Sequence, residues 1–370
     1  MSIGRLPLHG VHESLGAEFV ERGGSLVPES YGDPGGEYES ARDRAGISDL
    51  SDRGKLRLSG KDHLKFLQGM LTNDVMKLGE GEGMYAAILT VKGRMLSDMR
   101  VYREKESVLL DLEPGLNIKV GEILKRYRLS YKANIDDLTE SMGLLHVHGP
   151  LARRLLAEAT GAEKLPLDEF GHMRAAIDGR DVTIVKISRT GVDGYDIYAR
   201  ANALSDIWKV LIEKGGARGI LPVGRAALDT LRIEAGIPIY GADMDEETIP
   251  IEAGIWSALS FEKGCYVGQE VVARIKWRGH VNRHLSGLLL SDERIPRKGS
   301  EIFSGEKKIG YVTSAVLSPA LGKPIALGYV RREYVEPGTS VLVKLPDGPF
   351  AEARVTPLPF AGAESGLHAE

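Results

Sequence analysis

The sequence predicts an α+β protein that ends in a small all-β domain. Three observations carry this. Residues 54–137 alternate strand-like and helix-like stretches in an order that suits helices layered on a mostly antiparallel sheet. Residues 142–260 hold a second stretch of the same mixed character. From about residue 284 the chain turns into short strands separated by Gly and Pro, the spacing of a small barrel or sandwich.

GKLRLSG, from Gly54, alternates with period two and reads as a strand. In the SGKDHLKFLQGMLT that follows, Ser59 and Asp62 have capping-box spacing, and Leu64, Leu67 and Leu71 lie on one helical face. YAAILTV and MLSDMRVYRE flank KGR, which predicts a hairpin. SVLLDLE is the next strand, GLNIKVGEILKRY an amphipathic helix, and YKANIDD closes the segment. In the second stretch GLLHVHG and DVTIVKIS are strands, and PLARRLLAEAT, ALSDIWKVLIEKG and GRAALDTLRIEAG are helices. HLSGLLL, EIFSG, KIGYVTSAV, IALGYVRR, TSVLVKL and AEARVTPL supply the strands of the last domain. The tail AGAESGLHAE is expected to fray.

The chain has 370 residues, enough for two or three domains with a sizeable core. Its net charge of −4 argues against a wholesale nucleic-acid coat. No stretch reaches the roughly 18 apolar residues of a membrane helix. MSIGRLPLHGVHESLGAEF lacks the apolar core of a secretory signal. One cysteine cannot make an internal disulfide, and the expected compartment is the cytoplasm. That cysteine and nine scattered histidines show no metal-ligand spacing, so no metal site is expected.

The lone cysteine, Cys265, sits in KGCYVGQEVVARI. Lys263 or Arg274 could lower its pKa and make the thiol reactive. It could equally be a small apolar filler. On a strand, Leu96, Asp98, Arg100 and Tyr102 share one face, and a carboxylate there can hold or shuttle a proton. Arg274, Lys276, Arg278 and Arg283, with Trp277 among them, have the composition of a weak RNA contact over 274–284, or of a solvated linker.

LGAEFVERGG, YESARDRAGISDLSDRGKLRLSG, HGPLARRLL and DTLRIEAGIPIYGADMDEETIPIEAGI together resemble the glycine-cleavage T-protein superfamily of tetrahydrofolate-dependent aminomethyltransferases, in the family's order. The resemblance implies a three-lobed T-protein-like fold: two interleaved α/β folate-binding domains plus a small C-terminal β-barrel. On this chain the body spans 1–280, with 1–53 joined to 138–245 and 54–137 joined to 246–280. The barrel takes 281–362 and the tail 363–370. Within the superfamily, FLQGMLTNDV, KGRMLSD and above all KGCYVGQE resemble the YgfZ branch, whose members bind folate and support iron–sulfur enzymes, one of them tRNA-modifying. That implies tetrahydrofolate or a one-carbon derivative as cofactor and iron–sulfur proteins or their assembly machinery as partners. It gives Lys263, Gly264, Cys265, Tyr266, Gly268, Gln269 and Glu270 as a functional motif with Cys265 as its reagent. The alternative is an aminomethyltransferase or a one-carbon demethylation module.

The resemblance also assigns roles residue by residue. Asp98 matches the carboxylate at the folate reaction centre, with Tyr85 as a further folate contact. Arg232 matches a folate-site residue; the plain reading is an ion pair with Glu234 or Asp229. Tyr240 would stack or hydrogen-bond, and Arg283 would meet the anionic folate tail. One departure stands out. T-proteins carry a Gly-Glu-x-Gly signature whose glutamate contacts the pterin, and in RTGVDGYDI the matching residue is Val192. Valine cannot accept those hydrogen bonds, which argues against ordinary aminomethyltransferase activity and implies folate binding with altered pterin contacts. Asp193 and Asp196 correspond to other family positions.

Overall fold

The structure, a computed structural model, describes residues 3–346 and 348–360. The tail expected at 363–370 lies outside them. A wholly antiparallel five-stranded sheet is ordered Gly83–Leu89, Met95–Arg103, Ser107–Leu112, Gly54–Ser59, Asn134–Asp137. Helices His63–Met70 and Leu116–Tyr127 cover it through Phe66, Leu67, Val120 and Leu124, packed on Leu56, Leu58, Val101 and Leu110.

A six-stranded sheet is ordered His172–Ile177, Arg180–Lys186, Gly194–Arg200, Met142–His148, Gly46–Asp49, Leu221–Pro222. Helices Ala152–Thr160 and Leu204–Gly216 close its apolar face. The chain therefore enters this sheet at Gly46–Asp49, leaves to build the other sheet, and returns at Met142. The sheets meet where Tyr102 and Leu109 pack with Leu144, Val185 and Tyr198.

The six late strands close into a barrel, ordered Arg283–Leu290, Lys323–Arg331, Lys307–Ser318, Glu301–Ser304, Ser340–Lys344, Phe350–Thr356. Closure leaves no unpaired sheet edge. Ile233, on helix Arg225–Glu234, packs with Ile325, Leu327 and Phe360 of the barrel domain. The mixed α/β body and terminal barrel match the expected fold class. Among the described residues no helix is long and apolar enough to cross a membrane.

Three local readings are corrected. Ser59 and Asp62 do not form a capping box: the helix begins at His63, and the Asp62 carboxylate accepts from the Lys132 backbone N–H at 2.9 Å instead. A three-stranded sheet of Gly4–Arg5, Ser25–Ser30 and Glu18–Arg22 lies at the N-terminus, where no element was expected. Residues 274–278, part of the 274–284 stretch whose plain reading is a solvated linker, belong to helix Gln269–Arg278, with Arg274, Lys276, Trp277 and Arg278 exposed.

Candidate functional site

Two cavities open on either side of Arg100 and Ile237, which line both. The second, of about 530 Å³, has aromatic walls from Tyr85, Phe170 and Trp256 and a backbone wall from Gly236, Ile237 and Pro238. The first, of about 480 Å³, is lined by seven arginine or lysine side chains against three carboxylates.

Asp98 is buried on strand Met95–Arg103, behind two side chains that line the second cavity. Tyr85 donates its hydroxyl to Asp98 Oδ2 at 2.6 Å, and Arg100 Nη1 stands 3.8 Å from the same oxygen. Arg100 also lies over the Tyr85 ring, 5.3 Å from its centroid. Asp98 Oδ1 is buried without a partner. Burial raises the Asp98 pKa above the ordinary carboxylate value, with Arg100 opposing. A carboxyl group of this kind can hold a proton that an exposed aspartate would lose.

A lattice of buried ion pairs fixes Arg100. Glu113 accepts from Arg53 Nη1 at 2.6 Å and from Arg100 Nη1 at 3.2 Å. Asp111 accepts from Arg53 Nε at 2.6 Å and from Arg189. Asp196 accepts from Arg189 Nε at 3.0 Å and pairs with His146 Nδ1 at 2.9 Å. Burial works against these carboxylates, yet the guanidinium groups hold Glu113 down to about 2 and keep Asp111 and Asp196 below the usual range.

The sequence-predicted residues divide. Tyr85 and Asp98 are in contact. Arg232 and Tyr240 line the first cavity instead. Arg232 Nη1 reaches Asp243 Oδ2 at 2.5 Å, Nε reaches Asp229 at 3.2 Å, and Nη2 reaches Ser314 Oγ of the barrel at 2.9 Å. The expected partner Glu234 bonds Tyr38 and Ser318. Tyr240 takes a hydrogen bond from Lys119 Nζ at 3.3 Å. Arg283 lines neither cavity. It donates to Tyr311 Oη at 2.7 Å and lies 4.5 Å from the Tyr329 ring centroid, beside Glu252.

Packing accounts for three residues of the Lys263–Glu270 motif: Lys263, Tyr266 and Gly268. Lys263 Nζ donates to the carbonyls of Gln68, Leu71 and Asn73 at 2.7–2.9 Å, capping helix His63–Met70. The buried Tyr266 ring lies 5.2 Å from that ammonium. Gly268 has φ +86°, and a Cβ there would stand 2.5 Å from the Thr90 carbonyl oxygen. Only glycine fits such a position. Gly264, Cys265 and Glu270 are exposed and Gln269 is half-buried. Cys265 is thus not a buried filler, and it lines neither cavity.

Val192 is half-buried, its carbonyl accepting from Ser188 Oγ at 2.9 Å. Asp193 pairs with Lys186 at 2.6 Å. Sequence reasoning passed over Asp52, Arg53, His146 and Thr190, all buried on the first cavity. The one legible signal was HVH in GLLHVHG, two histidines on one strand face. Their rings stack at 4.8 Å. Gly194 makes room for His146, since a Cβ there would lie 2.8 Å from its Cε1.

Comparison with known proteins agrees with this architecture. The GCVT N-terminal domain matches residues 8–263, and the glycine cleavage T-protein C-terminal barrel domain matches 283–361. An aminomethyltransferase of Rubrobacter xylanophilus is 36% identical over 96% of this chain and 94% of its own length. One from Bacillus subtilis is 35% identical over 96% of this chain and 98% of its own. The crystal structure of the glycine cleavage system aminomethyltransferase T of Bartonella henselae superposes with a TM-score of 0.89 at 28% identity, covering 97% of this chain and 98% of that one.

Proposed function

Because the chain belongs to the glycine cleavage T-protein family, we propose that it is a folate-dependent aminomethyltransferase that binds tetrahydrofolate in the second cavity beside Asp98. The observation that carries this reading is the buried Asp98 with its unpartnered Oδ1, held by Tyr85 at the edge of that cavity. The residues fit the ligand. Tyr85, Phe170 and Trp256 offer flat apolar walls to a ring system. Asp98 Oδ1 has no partner, so it can carry the carboxyl proton toward a ligand nitrogen or, once ionised, accept from one. Val192, which matches the family's pterin-contacting glutamate, lies outside this cavity.

Tetrahydrofolate supplies the amine nitrogens that accept a one-carbon unit. The chain's own work is to orient and to manage a proton. Tyr85 fixes the Asp98 carboxyl by donating to Oδ2, which leaves Oδ1 for the ligand. Burial favours the protonated acid, and Arg100 steadies the anion when the proton has moved.

The iron–sulfur reading rests on Lys263–Glu270 and Val192; Lys263, Tyr266 and Gly268 have structural tasks, and the relatives found carry the aminomethyltransferase name. That favours transfer. On helix Gln269–Arg278, Lys276 is engaged 5.1 Å from the Trp256 ring centroid, while Arg274, Trp277 and Arg278 stay exposed. Calorimetric titration of tetrahydrofolate into wild type and Asp98→Asn tests the proposal. Saturable binding to wild type, weakened roughly tenfold or more in the variant, is expected. No binding to wild type would refute it.

A further inference from the structure

Helix Leu116–Tyr127 ends in a turn, residues 128–131, that leads to the edge strand Asn134–Asp137. The Tyr131 N–H closes this turn on the Arg128 carbonyl at 2.9 Å. The turn is fastened to the start of helix His63–Met70. The Asp62 N–H donates to the Lys132 carbonyl at 3.1 Å, the Asp62 carboxylate accepts from the Lys132 N–H at 2.9 Å, and the Tyr131 ring lies 5.5 Å from that of Phe66. Residues 61–65 and 125–132 therefore share one surface.

That surface carries Lys61, Lys65, Lys125, Arg126, Arg128 and Lys132, all exposed, against one carboxylate, Asp62. Among the described residues none of the six cations is in an ion pair; Arg128 donates to the Ala133 carbonyl at 3.3 Å. So dense a positive field stands out in a chain of net charge −4. Within the turn sits Leu129, 84% exposed at a φ of +44°. Glycine or asparagine adopts that conformation readily, and leucine does so at a cost. Exposure leaves the leucine no burial inside the chain to offset the strain. A residue that breaks a local rule without return in the folded chain points to a contact outside it. Tyr127 and Tyr131, both exposed, flank it.

The composition selects the partner. Four of the six cations are lysines, which protein interfaces exclude relative to the rest of the surface. A single-stranded nucleic acid needs free ring faces, but Tyr131 is turned to Phe66, and Leu129 can neither stack on a base nor hydrogen-bond to one. An anionic bilayer uses every part: the headgroups attract the lysines and arginines, tyrosines sit at headgroup level, and a leucine enters the acyl boundary. We propose that residues 61–65 and 125–132 form a reversible docking surface for an anionic membrane, with Leu129 as the inserted side chain. None of these residues lines either cavity, so the proposal is independent of the transferase reading.

The test is sedimentation of the full chain with vesicles of phosphatidylcholine alone and of phosphatidylcholine mixed with phosphatidylglycerol, at low and high salt. Binding is expected to the mixed vesicles alone, weakened at least about tenfold by high salt. Arg126→Gln combined with Arg128→Gln should weaken it about 25-fold, roughly fivefold for each charge. Leu129→Asn should weaken it about tenfold. The urea midpoint of that variant should hold or rise, because asparagine tolerates the turn conformation, so its lost binding is not lost folding. No binding to the mixed vesicles, equal binding to phosphatidylcholine alone, or binding indifferent to Leu129→Asn would overturn the proposal. Binding to single-stranded RNA or to poly-L-glutamate in place of the mixed vesicles would overturn it in favour of a nucleic-acid or acidic protein partner.

Discussion

Replacing Arg232 with methionine is expected to destabilise the protein by about 3 kcal/mol, through the body–barrel junction. At 2.5 Å, with an effective dielectric near 20, the gross Arg232–Asp243 attraction is roughly 7 kcal/mol. Most of that offsets the cost of taking two ions out of water, so the pair itself adds little. Removing the arginine alone is different, because the Asp243 carboxylate stays buried. It keeps the Ile239 N–H at 3.1 Å and the hydroxyls of Thr313 and Ser314 at 2.6 and 2.7 Å, which places the loss at the low end of about 3–5 kcal/mol. Adding Asp243→Asn removes the stranded charge, and the double-mutant cycle should show a coupling of about 2 kcal/mol. Urea unfolding followed by circular dichroism reads both numbers. An Arg232→Met protein within about 0.5 kcal/mol of wild type would refute the strut and return Arg232 to the ligand role that family resemblance implied.

Burial pushes the Lys263 pKa from 10.5 down to about 8. Below pH 8 both folded and unfolded chains hold this proton; between about 8 and 10.5 only the unfolded chain does. Its contribution should therefore make stability rise with pH across that window, by about 3 kcal/mol in all, measured as wild type minus Lys263→Met in urea at pH 7.5 and pH 10. Gly268→Ala should cost at least about 2 kcal/mol, because φ is +86° and the new Cβ meets the Thr90 carbonyl; an unchanged urea midpoint would count against the packing account. Cys265→Ser should leave stability within about 0.5 kcal/mol and folate affinity unchanged, and the native thiol should react fully with a water-soluble disulfide reagent.

The barrel was legible because its strands alternate with period two and are cut by Gly and Pro, and all six lie where that pattern puts them. The interleaving of the two sheets was not legible from residues: nothing at Gly46–Asp49 announces that its neighbours are Met142–His148 and Leu221–Pro222. Helix Gln269–Arg278 escaped notice because it buries only Val272, too little for a 3.6-residue stripe. Asp98 could be singled out by family resemblance; alternation alone showed only that it shares a strand face with Arg100. The polar cavity could not, since its pairs join residues 50, 58 and 173 positions apart: His146 with Asp196, Arg53 with Asp111, Asp52 with Arg225. Cys265 stood out for its rarity, which is a property of composition and carries no information about where the side chain points.

The transfer itself is tested most directly by ammonia release when the protein is mixed with tetrahydrofolate and an aminomethylated lipoyl carrier. Wild type should release ammonia only when tetrahydrofolate is present, and Asp98→Asn should do so at least roughly 100-fold more slowly. Release by wild type no faster than by Asp98→Asn would contradict the account.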